Sequence, residues 1–193
     1  KVESGLMEAQ ARQLKRGFLS RVQRGRPWVR VKLGTSLDGR TAMANGESKW
    51  ITGEASRLDV QHSRARSGAL LTGANTVLLD DPSLTVRLGD DTPFVPPLRV
   101  VLDAGLATVA RGKVRDPSAP TLYIHAPDAK PPREIEVQRA VAPINAGRFD
   151  LKAVLELLQA EFDADLLVFA EALGDALLAH FEDAAGGFWF TRH

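Results

Sequence analysis

Residues 31–50 of this chain read Val31-Lys-Leu-Gly-Thr-Ser-Leu-Asp-Gly-Arg-Thr-Ala-Met-Ala-Asn-Gly-Glu-Ser-Lys-Trp50. The first positions alternate between apolar and charged side chains, as a half-buried strand does. The remaining positions are mostly small or polar and are repeatedly interrupted by glycine. A strand that delivers its C-terminal end into such a loop is how α/β proteins build ligand sites. The passage therefore predicts a strand of an α/β sheet and one wall of a ligand-binding cleft.

The turn from Ser36 to Arg40 admits two interpretations. In the first, the Asp-Gly pair at its centre forms a tight turn, and Arg40 pairs with a carboxylate. In the second, backbone amides around Gly34 and Gly39 approach a ligand, because only glycine lets a backbone come so close. Further on, Ser48 offers a hydroxyl and Trp50 a flat aromatic face, although a tryptophan beside such a loop more often belongs to the core.

The bulk composition is that of one soluble globular domain. The chain has 193 residues, of which 44% are hydrophobic and 25% are charged, as is usual for such domains. Its formal net charge of +1 argues against a nucleic acid or a membrane surface as the main partner. The absence of cysteine excludes disulfides, thiol nucleophiles and cysteine-bound zinc.

The sequence also indicates where in the cell the protein is expected. No apolar run approaches the roughly 18 residues that span a bilayer, and no signal-peptide pattern begins the chain. A cytoplasmic location is therefore expected. Because the first residue is not methionine, the chain is expected to be a piece of a longer protein.

Helical and strand patterns alternate along the chain, which predicts an α/β domain with a largely parallel sheet and helices on both faces. The predicted helices cover residues 6–22, 52–66, 74–81, 151–162 and 172–181. The predicted strands cover residues 28–33, 68–73, 98–103, 121–125, 166–169 and 188–190.

A few charged residues stand where they could carry chemistry. Arg64 lies late in a predicted helix, where the helix dipole alone would favour a cation. Arg87 follows the Asp80-Asp-Pro turn. If Arg64 and Arg87 both face the opening of one cleft, their guanidinium groups would bind a phosphate bidentately. The paired carboxylates make a doubtful metal site, because no histidine lies near them. Glu171 follows a predicted strand, where it could face a ligand or simply begin a helix.

These residues together resemble a known family, the reductase domain of the bifunctional bacterial riboflavin-biosynthesis deaminase/reductase. The likeness extends from about Glu3 to Asp103, and residues 5–19 resemble the segment that joins the two domains of that family. The resemblance implies that residues 1–26 form a helix and interdomain lead-in and that residues 27–193 form the reductase domain. The most specific runs are residues 31–44, 46–53 and 71–87.

The resemblance implies a dihydrofolate-reductase-like α/β fold that binds NADPH without the Rossmann glycine fingerprint. It implies reduction of 5-amino-6-(5-phosphoribosylamino)uracil to 5-amino-6-(5-phosphoribitylamino)uracil, by hydride transfer from nicotinamide C4 to C1′ of the ring-opened ribose. It also implies a homodimer and, in the full-length protein, fusion to a zinc deaminase domain. The cysteine ligands of such a deaminase are absent from this chain, which is expected to reduce but not to deaminate.

Carried over motif by motif, the resemblance assigns roles to residues of this chain. Lys32, on the strand that leads into the site, would polarise the reacting sugar, and Glu171 is the second expected catalytic residue. The expected cofactor contacts are Gly34, Trp50, Thr76, Asp80, Ala104, Leu173, Gly174, Asp175 and Ala176. The expected substrate contacts are Ser48, Arg64, Leu84, Arg87 and Glu171.

The C-terminal part departs from the family pattern. The family carries Glu-Ala-Gly-Pro-Thr-Leu where a glycine turn opens a helix that holds the cofactor pyrophosphate. Here Glu171-Ala172 runs directly into Leu173, and the strands expected after Asp183 are shortened. Either the protein is trimmed or these residues are missing from the sequence as given. Omission is the preferred explanation, because losing a strand from a central sheet should unfold it.

Two other functions compete with the reductase. A non-catalytic nucleotide-binding or regulatory domain on the same scaffold would follow if the Gly-Pro-Thr segment is truly absent. A dihydrofolate reductase proper would share the fold, but it would leave the pairing of Arg64 with Arg87 unexplained. The choice between NADPH and NADH is open, since no ligand for a 2′-phosphate is identifiable in the sequence.

Overall fold

The computed structural model of the protein describes residues 2–47, 51–130, 135–162 and 166–169. Helices and strands alternate over most of this length. The helices are α1 (Glu8–Leu14), α2 (Arg16–Arg24), α3 (Glu54–Ala65), α4 (Ala74–Asp80) and α5 (Leu151–Phe162). The strands are β1 (Val29–Lys32), β2 (Ala69–Gly73), β3 (Leu98–Leu102), β4 (Thr121–His125), β5 (Gln138–Val141), β6 (Ile144–Asn145), β7 (Arg148–Phe149) and β8 (Leu166–Phe169).

Six of the eight described strands form one sheet in the order β1-β8-β2-β3-β4-β5, in which every neighbouring pair is parallel. The last described strand, β8, lies between β1 and β2 and pairs with both. All five residues of β3 are buried, as expected for a parallel strand that is covered on both faces. The parallel sheet predicted from the alternating pattern is confirmed.

Successive residues of the central strands enter two different cores, because side chains along a strand point to opposite faces. One core contains Leu71, Val100 and Leu122, and α5 packs on it through Val154 and Leu158. The opposite core contains Leu70, Val101 and Tyr123, with contributions from α3, α4 and the segment after α4 through Val60, Val77 and Leu84. Helices thus cover both faces of the sheet, as predicted.

The N-terminal region differs from its prediction as a single helix over residues 6–22. It forms two helices, with a break at Lys15, whose φ of −104° and ψ of 23° are not helical. The physical reason is the lack of packing: α1 buries no residue, and α2 buries only Gly17 and Ser20. Short helices depend on tertiary packing, and this apolar stripe packs too little to keep one helix straight.

Two further elements were not predicted. The strand β5 has only one residue that is not exposed, so its sequence lacks both an apolar run and a clear alternation. The hairpin β6–β7 turns at Ala146 and Gly147, whose φ angles of 50° and 77° are positive. Positive φ at both central residues is typical of a type I′ turn, but an Ala-Gly pair is a weaker signal than Asn-Gly.

Helix α3 begins one residue later than predicted, since Gly53 rather than Thr52 occupies the N-cap position. The bounds of β4, α5 and β8 agree with the prediction. The helix predicted over residues 172–181 and the strand predicted over residues 188–190 lie outside the described residues. Within the described ranges, every helix is too short or too polar to cross a lipid bilayer.

Candidate active site

Several predicted site residues lie at one edge of the sheet. Lys32 is the last residue of β1, and Gly34 follows it. Thr76 lies in the first turn of α4, which begins directly where β2 ends. Ala104 follows the end of β3. Because all these strands are parallel, their C-terminal ends meet at the same edge, and this edge is where open α/β sheets bind ligands.

The ammonium group of Lys32 lies beside the backbone of Gly34. A Cβ atom added at Gly34 would stand 3.5 Å from Lys32 Nζ, and Gly34 itself is buried. A side chain at this position would therefore fill the space next to the ammonium group. Because Gly34 has no side chain, its backbone suits the close approach of a flat ring.

The turn after β1 is held together by its own groups. The Ser36 carbonyl accepts a hydrogen bond from the Gly39 N–H at 3.0 Å, and the Arg40 guanidinium lies 3.5 Å from the Asp38 carboxylate. The hydrogen bond from the Ser36 hydroxyl is the main reason that the pKa of Asp38 is lowered. The structure shows the tight turn and the pairing of Arg40 with a carboxylate, while the approach of backbone amides near Gly34 and Gly39 to a ligand stays a prediction.

Some of the predicted contacts fall outside the residues that the structure describes. Ser48 and Trp50 belong to this group, as do Glu171 and the four cofactor residues 173–176. The contacts expected of these residues, on both walls of the cleft, therefore stay predictions, while β1, α3, α4 and the segment after α4 supply the geometry that is described.

Two threonine hydroxyls are buried at the junction of β2 and α4. Thr72 is fully buried and Thr76 is 5% exposed. Within the described ranges, neither side-chain oxygen has a hydrogen-bond partner. A buried hydroxyl without a partner costs about 1–3 kcal/mol, so a ligand that supplies a partner would be favoured here. Thr76 was predicted from the motif, whereas Thr72 was missed because it reads as an ordinary strand residue.

A cavity of about 740 Å³ opens beyond Ala104 at the same edge of the sheet. A buried carboxylate closes the turn that contains Ala104 and Gly105: Asp103, which is 2% exposed, accepts hydrogen bonds from the N–H of Ala107 at 2.9 Å and from the N–H and hydroxyl of Thr108, both at 2.7 Å. Sequence reasoning missed Asp103, although an acid directly after a buried strand was a usable signal. The cavity is lined by Ala104, Gly105, Ala126, Pro127, Asp128, Ala129, Pro143 and Ile144.

The segment after α4, residues 81–87, is named the strap, and its first half is tied to the loop before β4 and to β3. The Asp81 carboxylate accepts a hydrogen bond from the Lys113 N–H at 2.7 Å and lies 3.5 Å from the Lys113 ammonium group. The Ser83 carbonyl accepts a hydrogen bond from the Arg99 guanidinium at 3.3 Å. These contacts hold the strap from the side of the sheet.

The second half of the strap is tied to α3 and carries the two predicted phosphate ligands. Arg64 Nη1 donates to the Thr85 carbonyl at 2.9 Å. The backbone N–H of Arg87 donates to Gln61 Oε1 at 3.0 Å, and the exposed Arg87 guanidinium lies 3.4 Å from the Ser83 hydroxyl. Arg64 thus binds the same strap that carries Arg87, and the convergence of the two guanidinium groups on a phosphate stays a prediction.

Two other residues with predicted ligand contacts, Leu84 and Asp80, lie in or next to the strap. Leu84 is 2% exposed, and its side chain lies in the core with Val77 and Val101, so a ligand would meet only its backbone. Asp80 is the half-buried last residue of α4, one position before the strap. The cofactor contact expected of Asp80 and the substrate contact expected of Leu84 stay predictions.

The strap rests on a buried cation that the sequence did not reveal. Arg99 on β3 is 1% exposed. Besides Ser83, its guanidinium donates to the carbonyls of Lys113, Asp116 and Ala119. Burial lowers the pKa of Arg99, because it removes water from the charged guanidinium. This desolvation is the physical cost of holding these chain segments together. The residue thus connects the strap to the loop that precedes β4.

Replacing Asp81 by Asn is expected to make the stability of the protein less sensitive to acid. The Lys113 N–H is the main group that lowers the pKa of Asp81 below its ordinary value of 3.8. A carboxyl with a lowered folded-state pKa stabilises the protein above its unfolded-state pKa, and this contribution disappears as the pH falls below 3.8 and through the folded-state pKa. The variant should therefore lose less Tm on acidification than the parent.

Thermal unfolding followed by circular dichroism at about pH 6 and about pH 3, on either side of the ordinary carboxyl pKa, measures this difference. Asp91→Asn, at an exposed position, is the matched control and should lose as much Tm as the parent. An equal loss of Tm for Asp81→Asn and the parent would show that the contact with Lys113 does not hold the strap.

Known proteins are similar to this chain in sequence and in fold. A family model described as the RibD C-terminal domain matches residues 27–178. The chain belongs to the RibD C-terminal domain family. Membership in this reductase family implies a nicotinamide cofactor. Within the described residues, no cluster of three or more histidines and acids could hold a metal ion.

The sequence relatives are longer than this chain. The riboflavin biosynthesis protein RibD of Escherichia coli K12 is 50% identical over 113 residues, which cover 53% of this chain and 31% of that protein. The RibD of Aquifex aeolicus is 34% identical over 163 residues, which cover 82% of this chain and 44% of that protein. The chain thus spans less than half the length of these curated relatives.

Solved structures of RibD proteins share the fold. The RibD of Acinetobacter baumannii superposes with a TM-score of 0.72 at 37% identity, over 89% of this chain and 48% of that one. A protein of Thermotoga maritima, described as a diaminohydroxyphosphoribosylaminopyrimidine deaminase/5-amino-6-(5-phosphoribosylamino)uracil reductase, gives 0.70 at 31% identity, over 86% and 45%. The riboflavin biosynthesis reductase Rib7 of Saccharomyces cerevisiae, at 20% identity and a TM-score of 0.60 over 82% of this chain and 71% of that one, supports the fold alone. The dihydrofolate-reductase-like architecture is confirmed.

Proposed function

We propose that this chain reduces 5-amino-6-(5-phosphoribosylamino)uracil to 5-amino-6-(5-phosphoribitylamino)uracil with NADPH as the hydride donor. The observation that carries the proposal is the strap, which carries Arg87 and is bound by Arg64, in a domain whose sheet has Lys32 and Thr76 at its C-terminal edge. Two guanidinium groups at one end suit a phosphate, and a lysine at the other suits a reacting oxygen. A phosphorylated sugar carries a phosphate at one end and a reacting oxygen at the other.

The residues present fit a nicotinamide dinucleotide. Thr72 and Thr76 offer buried hydroxyls to its polar groups, Gly34 leaves room for a ring, and the cavity beyond Ala104 is within the range of volumes usual for cofactor sites. When bound, NADPH supplies the hydride that reduces C1′. Asp80 and the residues 173–176 are proposed to contact it as well.

The chain itself binds and orients the sugar. Arg64 and Arg87 hold the phosphate, while Ser48, Leu84 and Glu171 are proposed to contact the remainder of the substrate. Lys32 donates a hydrogen bond to the ring oxygen O4′, which favours breaking of the C1′–O4′ bond and leaves a C1′=N double bond with a hydroxyl at C4′. One hydride is added to C1′ of that double bond and one proton goes to its nitrogen, so that the ring-opened sugar becomes a ribityl chain.

Oxidation of NADPH, followed by its absorbance at 340 nm, tests the proposal. With the phosphorylated substrate, steady turnover is expected. The same compound without its phosphate should show a KM at least about tenfold higher, because each hydrogen bond to a charged group contributes about 1.5–3 kcal/mol. NADH in place of NADPH should be the poorer donor. Binding of NADPH without any turnover would instead support the non-catalytic domain considered above.

The assembly of the protein is also a proposal. We infer from the resemblance that the chain acts in the cytoplasm as a homodimer and that a deaminase domain is fused to it in the full-length protein. The greater length of the RibD relatives and the description of the Thermotoga maritima protein support the fusion. Sedimentation velocity of the chain at micromolar concentration, where a monomer would contradict the inference, tests the dimer.

A further inference from the structure

The strap is not a relaxed loop. Asp81 and Leu84 have φ angles of 43° and 49°, in the left-handed region that residues other than glycine rarely adopt. Backbone of this kind persists only where the surrounding structure holds it, and it is concentrated at functional sites. The contacts of Asp81, Ser83, Thr85 and Arg87 supply that restraint at alternate residues of the strap.

Gln61 makes the last of these contacts. It is half-buried on α3, and its side-chain oxygen accepts the backbone N–H of Arg87 at 3.0 Å. Arg64 lies three residues further along α3, on the same face of the helix, and donates to Thr85 two positions before Arg87. One face of α3 therefore presents an acceptor and a donor to the backbone of the strap.

We propose that Gln61 is a positioning residue for the substrate phosphate. By holding the main chain of Arg87, it directs that guanidinium toward the same phosphate that Arg64 approaches. This inference rests on the proposed function, which supplies the phosphate. Gln61 itself has no charge to offer the ligand, and it acts through Arg87.

The chemistry of the side chain supports this role. A carboxylate at residue 61 would also accept the Arg87 N–H, but it would place a negative charge beside an anion. A neutral amide accepts the hydrogen bond without repelling the phosphate. Methionine has nearly the same length as glutamine and no comparable acceptor, so Gln61→Met removes the hydrogen bond at small cost in shape.

Steady-state kinetics with Gln61→Met test the inference. The KM for the phosphorylated substrate should rise about three- to tenfold, which is the value of one ordinary hydrogen bond, while kcat and the Kd for NADPH stay within about twofold. The KM for the substrate without its phosphate should not change. Gln23→Met, at an exposed position of α2, is the matched control and should behave as the parent.

Gln61→Glu separates the effect of the hydrogen bond to the Arg87 N–H from the effect of a charge at residue 61. It keeps the acceptor but should also raise the KM for the phosphorylated substrate, and added salt should relieve that increase because salt screens the repulsion between the charges. The increase caused by Gln61→Met should be less sensitive to salt. An equal loss with and without the substrate phosphate, or an unchanged KM in Gln61→Met, would overturn the inference.

A second measurement separates this inference from the proposed function. Inorganic phosphate should bind the parent chain, as detected by isothermal titration calorimetry, and should bind Gln61→Met about three- to tenfold more weakly. If the parent binds phosphate in this way but shows no turnover, the positioning role stands and the proposed reaction fails. Equal phosphate affinities in a parent chain that does turn over would overturn the positioning role alone.

Discussion

Replacing Arg99 by Met should lower the free energy of unfolding by about 3–5 kcal/mol, which is the usual loss when a buried, hydrogen-bonded charge is removed from its partners. The Arg99 guanidinium donates to four backbone carbonyls, at Ser83, Lys113, Asp116 and Ala119. Each would be left without this donor in a buried or half-buried setting. Removing the buried charge recovers part of its desolvation cost, which keeps the net effect below the sum of the lost hydrogen bonds.

Denaturant unfolding followed by circular dichroism measures this change. Arg111→Met, at an exposed position, is the control and should alter the free energy by no more than about 0.5 kcal/mol. Arg99→Lys keeps the charge but not the planar set of donors, so its loss should be intermediate. A loss below about 1 kcal/mol in Arg99→Met, the size of an ordinary single hydrogen bond, would contradict the role given to this residue.

Replacing Arg87 by Met should raise the KM for the phosphorylated substrate about 10- to 100-fold, since a hydrogen bond to a charged group contributes about 1.5–3 kcal/mol. The Arg87 guanidinium is exposed and lies against the Ser83 hydroxyl, so its loss should not unfold the protein. A KM that rises while kcat is maintained is the sign of lost binding in the ground and transition states alike.

Two comparisons make this prediction specific. Arg87→Lys retains a point charge but cannot bind bidentately, and its KM should fall between those of the parent and Arg87→Met. With the substrate that lacks its phosphate, the parent and Arg87→Met should have the same KM. A KM increase that is independent of the phosphate would show that Arg87 serves the fold of the strap rather than the ligand.

The sheet was predictable from the sequence because its central strands carry mostly apolar runs, which Arg99 interrupts in β3. Residues 98–102 and 121–125 are almost entirely buried, and only a fully covered parallel strand requires such runs. The strand β5 lacked this signal because its residues are mostly exposed and its place is set by the pairing of Leu122 with Gln138 and Ile124 with Ala140. The edge of the sheet thus depends on a partner that no local pattern reveals.

The candidate site, too, was predictable from the sequence only in part. Arg64 and Arg87 could be paired from their residue type and from the motif, and the structure brings both to the strap. Gln61 and Arg99 could not be found, because their roles are hydrogen bonds to backbone groups far along the chain. A polar side chain that binds distant backbone looks, in the sequence, like any other polar position.

Transfer of a label tests the central claim most directly. The parent chain is incubated with 5-amino-6-(5-phosphoribosylamino)uracil and NADPH deuterated at both C4 positions, and the product is examined by mass spectrometry and proton NMR. A hydride that moves from nicotinamide C4 to the sugar should place one deuterium at C1′ of the ribityl chain for every NADPH oxidised. Folded protein that binds NADPH but yields no labelled product, or product with deuterium elsewhere than C1′, would contradict the account.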